Sequence, residues 1–312
     1  MGFRAYRVLL KQFPPTSERI FYFMDYAGSG DTYLCCSILN ALHAIRDDTV
    51  FVAAGGVSAK IASLSGFQQV CTLTVQTSFH MRGLMRFYGG KLFLTSLLYE
   101  SEPLIYSGVL RHMQGYRGLN FMVLLKIGIS SVLRIPYSQL TFDPVYFVGN
   151  DVESMVDRMF AQHHLKKGRT LLVAPYAGHH DMMGIPPSYY EEIVATYQKS
   201  GFTVCTNIDF QGIEREIRGS IPLYIPYKFV QAFCAAGGYF LGVRSGLCDI
   251  IAAVQKCRMV VLYPDKPLGE GPGTWIEFFS LSKMGISNQC EEIVIEKQRY
   301  HKDSSSKMGG KE

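Results

Sequence analysis

The chain has 312 residues, of which 48% are hydrophobic and 18% are charged, and its formal net charge is +5. This composition is typical of a globular chain with a sizeable core, and the length predicts two domains of roughly 150 residues each. No segment reaches the ~18 unbroken apolar residues of a membrane span, and residues 1–16 lack the apolar core of a secretory leader.

Strand and helix patterns alternate along the first half of the chain. Apolar runs predict strands over residues 20–24, 49–53 and 71–75, and helical spacing predicts helices over residues 32–46 and 57–64. This alternation is typical of parallel α/β packing. Residues 79–133 have a mostly helical pattern.

Residues 136–150 show no clear period, so we interpret them as a linker. The α/β alternation then resumes, with helices predicted over 152–164, 188–200 and 227–236 and from about 247, and strands over 169–174, 201–206, 239–243 and 258–263. The predicted domains are therefore 1–145 and 146–300. The polar segment 301–312 is predicted to be a disordered tail.

The excess positive charge lies in one region. Residues 80–134 contain seven Lys or Arg residues against two Glu residues, an excess of five that equals the net charge of the whole chain. Two interpretations stay open. The region either contacts an anionic membrane surface or forms a solvated helical face over a core.

Cysteine usage favours a reducing compartment. None of the eight cysteines forms a C-x-x-C pair, and several lie in apolar runs. We therefore expect buried free thiols, which predicts a cytoplasmic protein. The eight are Cys35, Cys36, Cys71, Cys205, Cys234, Cys248, Cys257 and Cys290.

A glycine-rich turn follows the first predicted strand. Gly28, Ser29 and Gly30 allow close approach of the backbone to a ligand, and Asp31 stands at the entrance of the next helix. The turn lacks the Gly-Lys-Ser/Thr of a P-loop and the third glycine of a dinucleotide motif. Asp31 is either a helix cap or a general base at the carboxyl end of a strand.

A second candidate segment is Tyr176, Ala177 and Gly178, whose small residues leave room for a ligand after the strand that opens the second half. His179, His180 and Asp181 are adjacent, and no further ligand stands at a spacing typical of a metal site. Because neighbouring histidines on an extended loop point in opposite directions, we expect no metal site there.

The third candidate segment follows the predicted strand 239–243. Ser245 and Gly246 open an apolar helix, where free backbone N–H groups favour an anion, and Arg244 adds a guanidinium suited to phosphate. Asp249 follows within the helix, where it either binds a sugar or ribose hydroxyl or hydrogen-bonds within its own helix. Ser245 is alternatively only an N-cap.

Three stretches resemble motifs of bacterial heptosyltransferase-type glycosyltransferases: the turn over residues 28–31, the segment from Phe240 to Asp249, and the run over residues 260–264 that follows it. The resemblance covers most of residues 20–265 in element order. It implies a GT-B fold, in which two Rossmann-like domains flank a cleft. It also implies an N-terminal acceptor domain with Asp31 as the base, and a C-terminal domain that binds a nucleotide sugar without a metal.

The chain departs from that family at two places. The family usually carries Asp-Ser/Thr-Gly and then His where this chain has Arg244, Ser245, Gly246 and Cys248, and it carries a Lys after the loop matching residues 175–178. In this sequence no Lys follows that loop until Lys199. The resemblance therefore leaves the donor sugar open and assigns the missing charge to Arg244.

The predicted function is metal-independent transfer of a sugar from a nucleotide sugar to a saccharide or lipid-linked acceptor. Such an enzyme serves bacterial surface polysaccharide synthesis (capsule, O-antigen or lipopolysaccharide), without a cofactor or nucleic acid, in the cytoplasm or peripherally at the inner membrane face. The alternatives are a GT-B-type sugar-nucleotide epimerase or hydrolase and a non-catalytic transferase-like subunit.

Overall fold

A computed structural model describes residues 2–14, 19–24, 28–74, 76–78, 80–81, 95–96, 119–146, 149–178, 182–267, 273–287 and 289–296. Their contacts divide the chain into two units, with the boundary between Gly149 and Asn150. Leu119 and Asn120 group with the second unit. The predicted tail 301–312 lies outside the described residues.

Unit 1 contains a parallel sheet of four strands in the order β3-β2-β1-β4. Its elements are α1 (Gly2–Gln12), β1 (Ile20–Met24), α2 (Ser29–Ala41), β2 (Thr49–Ala54), α3 (Gly56–Leu64), β3 (Gln69–Leu73), β4 (Thr95–Ser96), α4 (Phe121–Leu133) and a 3₁₀ turn (Tyr137–Gln139).

Successive side chains of a strand point to opposite faces of the sheet, and both faces of this sheet are buried. Phe21 and Phe23 of β1 pack with Leu9 of α1 on one face. On the other face Tyr22 makes an edge contact with Phe67, at 5.8 Å between ring centroids. Continuous apolar strands of this kind are typical of parallel α/β sheets.

Unit 2 contains a parallel sheet of six strands in the order β10-β9-β8-β5-β6-β7. Its elements are α5 (Val152–Gln162), β5 (Thr170–Ala174), α6 (Pro187–Lys199), β6 (Thr203–Asn207), β7 (Ile221–Leu223), α7 (Tyr227–Gly237), β8 (Gly238–Val243), α8 (Gly246–Ile251), β9 (Arg258–Pro264), α9 (Trp275–Phe279) and β10 (Cys290–Ile295). Leu171, Val173 and Leu241 of the central strands pack against Tyr190 and Val194 of α6.

The cysteines are free, and seven of the eight are buried; Cys290 is half-buried. Burial raises the pKa of Cys36 and Cys205 to about 12. The expectation of buried free thiols is therefore confirmed, and such thiols stay protonated at neutral pH.

Most of the basic region 80–134 lies outside the described residues. Of its seven basic residues the structure describes Lys126 and Arg134. Lys126 is half-buried, and that burial lowers its pKa. Within the described ranges, no helix is both long enough and apolar enough to cross a bilayer.

Candidate functional site

The strand order of unit 2 reverses beside β5. From β5 the chain moves outward through β6 and β7 on one side, and then returns to place β8 on the other side, with Ala174 opposite Gly242. Ligands of open α/β sheets bind at such a switch point, beyond the carboxyl ends of the strands. The two segments predicted for the donor directly follow β5 and β8, so the topology brings them to one edge of the sheet.

Tyr176 anchors the segment that follows β5. Its hydroxyl lies 2.9 Å from the carbonyl oxygen of Arg215, to which it donates, and accepts from the Arg215 N–H at 3.1 Å. The two bonds tie this loop to the loop after β6. Gly178 is exposed, and a Cβ built on it meets no atom of the described residues within 4 Å. The segment thus combines a fixed aromatic side chain with open space.

Ser245 occupies the N-cap position of α8 with an extended backbone, but its side chain makes no cap hydrogen bond. The Ser245 hydroxyl instead lies 3.9 Å from the Cys248 thiol. Ser245 is therefore the N-cap by position, as the alternative predicted, but its side chain does not supply the capping hydrogen bond. The first N–H groups of a helix have no partner within it, so those of the Ser245–Gly246 turn suit an anion.

Arg244 does not present the open guanidinium that the sequence predicted. It is 5% exposed and forms a two-bond ion pair with the buried Asp249, with Nη2 at 2.7 Å from Oδ1 and Nη1 at 3.1 Å from Oδ2. The partner of Asp249 is therefore Arg244, and neither a sugar hydroxyl nor a group of its own helix. The physical reason is that neither charge can be buried unpaired at the start of α8.

The remaining Arg244 donors hold the turn. Nη1 donates to the Ser245 carbonyl oxygen at 2.6 Å, and Nε donates to the Phe279 carbonyl oxygen at 2.9 Å. Arg244 therefore positions the candidate donor turn against the end of α9. Burial acts to lower the pKa of Arg244, but the Asp249 carboxylate together with Tyr263 and Cys248 outweighs it, and the pKa is raised. Burial raises the pKa of Asp249, with Arg244 opposing.

A second carboxylate, Glu292 of β10, extends this network. The Tyr263 hydroxyl lies 2.5 Å from Glu292 Oε1 and 3.1 Å from the Phe279 carbonyl oxygen that Arg244 also contacts. Glu292 also accepts from the hydroxyls of Ser280 and Ser282 at 2.7 and 2.6 Å. Burial acts to raise its pKa, but these hydrogen bonds outweigh burial and lower it.

The sequence resemblance included Tyr263 in the donor-pocket segment without giving it a role, and sequence reasoning missed Glu292. One signal was present, because Glu292 lies beside Glu291 within a run that is otherwise apolar, and a charged residue in a strand needs a partner. The partner comes from a different strand and a helix end, which one sequence does not reveal.

Unit 1 repeats the topological feature of unit 2. From β1 the chain moves outward through β2 and β3, and β4 returns on the opposite side of β1, with Phe23 opposite Ser96. The glycine-rich turn and Asp31 directly follow β1, so they lie at the switch point of unit 1.

Gly28, and not Asp31, is the N-cap of α2. Asp31 stands two residues into the helix beyond Ser29, half-buried in the first turn, so its interpretation as the N-cap is wrong. A first-turn carboxylate is favoured by the helix dipole. Asp31 also lies near the buried Cys35, whose pKa is raised by burial, Cys36 and Asp31. Its role as a base stays a prediction.

In the part of the chain that the structure describes, no three His, Cys, Asp or Glu side chains are grouped so that they could hold a metal ion. His179, His180 and Asp181 lie outside that part. We expect any group transfer from a diphosphate donor by this chain to survive excess EDTA, because backbone N–H groups can stabilise a diphosphate leaving group. The measurement is the transfer rate before and after chelation. Loss on chelation that Mg²⁺ or Mn²⁺ restores would contradict this expectation.

The two parallel sheets, each with a candidate segment at its switch point, define the class of fold before any comparison. The chain has a heptosyltransferase-like GT-B fold. It matches ADP-heptose lipopolysaccharide heptosyltransferase II of Escherichia coli with a TM-score of 0.56 and 14% identity, over 88% of this chain and 90% of that one.

A glycosyl transferase of family 9 from Veillonella parvula matches with a TM-score of 0.56 and 12% identity, over 95% of this chain and 91% of that one. No family model matches the sequence, and no curated protein matches it. At this identity the comparisons carry the fold alone, and they confirm the predicted α/β class with two Rossmann-like units.

Proposed function

We propose that this chain is a glycosyltransferase that moves a sugar from a nucleotide-sugar donor to a saccharide or lipid-linked acceptor in surface polysaccharide synthesis. The observation that carries the proposal is the coincidence of both candidate segments with the two switch points of a heptosyltransferase-like fold. The E. coli neighbour is named for an ADP-heptose donor and lipopolysaccharide, which supports a nucleotide sugar and a glycan for this chain.

The donor diphosphate is assigned to the backbone N–H groups of the Ser245–Gly246 turn, with the loop around Tyr176 and Gly178 beside it. This assignment rests on the adjacency of β5 and β8. Arg244 acts through the turn that it holds, not as an open ligand. Fixed dipoles of this kind stabilise negative charge that develops on the leaving diphosphate.

The acceptor is assigned to unit 1, with Asp31 as general base. The acceptor hydroxyl oxygen forms a bond to the anomeric carbon, the bond from that carbon to the diphosphate oxygen breaks, and the hydroxyl proton passes to the Asp31 carboxylate. No cofactor is needed, because the donor supplies its own leaving group. Asp31 suits this role since it follows the turn at the switch point of unit 1.

We expect one nucleoside diphosphate among ADP, GDP and UDP, or CMP, to stabilise the protein against thermal unfolding. A ligand at a hundred times its dissociation constant adds about 2.7 kcal/mol to the free energy of unfolding. The measurement is the melting temperature with each nucleotide, with inorganic phosphate as the control. A chain that responds to none of them would be better explained as a non-catalytic subunit.

Incubation with the matching nucleotide sugar separates the enzyme classes. A transferase releases nucleotide only when an acceptor is present. An epimerase converts the nucleotide sugar without an acceptor, and a hydrolase releases free sugar. Turnover without an acceptor would therefore replace the proposed function with one of these two.

The proposed site of action is the cytoplasmic face of a membrane, where a lipid-linked acceptor is presented. We expect the full chain to bind anionic vesicles at low salt and to release them at high salt, because the excess charge of residues 80–134 is attracted to acidic lipid and salt screens it. Flotation with phosphatidylglycerol vesicles measures this. Absence of binding at low salt would leave a freely diffusing enzyme.

A further inference from the structure

The outward face of α1 has an unusual composition. The exposed side chains of this helix include three cations, Arg4, Arg7 and Lys11, and two large apolar residues. Phe3 is 47% exposed and Val8 is 58% exposed. At 3.6 residues per turn the three cations form a central strip, which Phe3 and Val8 flank on either side.

The rest of the helix fixes this face toward the outside. Tyr6 and Leu9 are buried against Phe21 and Val50 of the unit 1 sheet, and Leu10 packs at the edge of the same cluster. The helix therefore cannot rotate to bury Phe3 or Val8 without exposing Tyr6 and Leu9.

The cationic strip has no counter-charge among the described residues. Helix α1 contains no acidic residue, and no acidic side chain in the described part of the chain forms an ion pair with Arg4, Arg7 or Lys11. The Arg7 guanidinium instead lies over the Phe3 ring, 5.1 Å from its centroid. A solvated helix face usually mixes both signs of charge, whereas this one carries one sign and apolar surface.

We propose that the outward face of α1 docks on the surface of an anionic phospholipid bilayer. The three cations match the negative headgroups, and Phe3 and Val8 reach the boundary between headgroups and acyl chains. A nucleic acid duplex offers the same negative charge, but its phosphate backbone makes no apolar contact that would bury Phe3 and Val8. Helix α1 lies outside both candidate segments, and its binding to vesicles is measured without any assay of sugar transfer.

The first test compares two variants that lose the same charge. Arg4→Gln/Arg7→Gln/Lys11→Gln removes the strip, and Lys199→Gln/Lys256→Gln/Lys283→Gln removes three exposed lysines of unit 2. Each basic residue near an anionic surface contributes about fivefold, so the α1 variant should bind phosphatidylglycerol vesicles about a hundred-fold more weakly. The unit 2 variant should bind like the unsubstituted chain, and neither should bind phosphatidylcholine vesicles.

A second test isolates the apolar residues. Phe3→Ser/Val8→Ser should weaken vesicle binding several-fold and should leave binding to a double-stranded oligonucleotide unchanged, because a bilayer takes up apolar side chains whereas a duplex presents mainly its phosphates. Both α1 variants replace exposed side chains, and circular dichroism with melting temperatures checks that they fold.

Three results would overturn the proposal. Equal loss of vesicle binding in the α1 and unit 2 variants would reduce the effect to net charge. Loss of binding only in Arg82→Gln/Arg86→Gln/Lys91→Gln would assign the contact to residues 80–134. Binding of the unsubstituted chain to the oligonucleotide but not to the vesicles would identify a nucleic-acid surface instead.

Discussion

Replacing Asp31 with Asn should lower the rate of sugar transfer by roughly 10²–10⁴, the usual contribution of general base catalysis. Asn has nearly the same shape as Asp but cannot accept the proton of the acceptor hydroxyl. Nucleotide affinity should hold, because the residues assigned to the donor belong to unit 2 and Asp31 belongs to unit 1. The measurements are the transfer rate, the nucleotide dissociation constant and the melting temperature of one variant.

A purely structural role for Asp31 predicts a different pattern. Its first-turn position in α2 gives a carboxylate about 0.3–1 kcal/mol through the helix dipole, so Asn would cost a little stability and leave transfer nearly unchanged. Asp47→Asn is a matched control, because Asp47 is an exposed carboxylate of the same unit outside the glycine-rich turn. Near-normal transfer by Asp31→Asn would remove it from the mechanism and leave the base unidentified.

The elements that sequence predicts best are those whose local pattern has one physical cause. Strand β1 matches its predicted bounds, and four of its five residues are buried. A short continuous apolar run is typical of a strand that is buried on both faces of a parallel sheet. Helix α2 was predicted to start at residue 32 and starts at Ser29, because Gly28 keeps an extended backbone and serves as the N-cap. It ends at Ala41, and His43 just beyond has a left-handed backbone.

The missed elements each carried a conflicting signal. Strand β7 contains Pro222, which has no N–H for a ladder, and the structure places this strand at the sheet edge where proline is tolerated. Strand β10 is also an edge strand, and its acids Glu291 and Glu292 weaken the apolar pattern. Helix α1 has regular apolar spacing at Tyr6, Leu9 and Leu10, but its three cations obscure that pattern.

The sequence predicted the position of both candidate segments but not the contacts of their side chains. Glycines and a polar turn after a strand locate both segments, because parallel strands end at one edge. Strand order is a property of the whole sheet, so the sequence did not show that both segments fall at switch points. Nor did it show that the Arg244 guanidinium turns inward to Asp249, since Arg beside a helix start suits a phosphate equally well.

That inward turn leads to a large expected effect on stability. Arg244→Met should lower the free energy of unfolding by about 3–5 kcal/mol, because it leaves the carboxylate of Asp249, which is 3% exposed, buried without a partner. Asp249→Leu should be similarly costly, since the Arg244 guanidinium then loses its counter-charge. Urea unfolding monitored by circular dichroism measures both.

The double variant Arg244→Met/Asp249→Leu should be more stable than either single variant. A buried ion pair is often replaced by apolar residues at little cost, provided that no other polar group is left unpaired. Of the two carbonyls that lose Arg244, the Ser245 oxygen keeps the Cys248 N–H at 3.0 Å, and the Phe279 oxygen keeps only the Tyr263 hydroxyl at 3.1 Å, whose single proton it shares with Glu292. The recovery therefore reports the pairing of the two charges less the cost of that shared proton.

The exposed pair of Arg46 and Asp48 provides the control, because it is also joined by two hydrogen bonds, from Nε and Nη2, at 3.0 and 2.8 Å. Arg46→Met should cost less than about 1 kcal/mol, since its partner stays solvated. If Arg244→Met were as mild as Arg46→Met but weakened nucleotide binding, Arg244 would be a ligand of the phosphate after all. If the double variant were as unstable as the sum of the singles, the two charges would act independently, and the turn at Ser245 would need another explanation for its position.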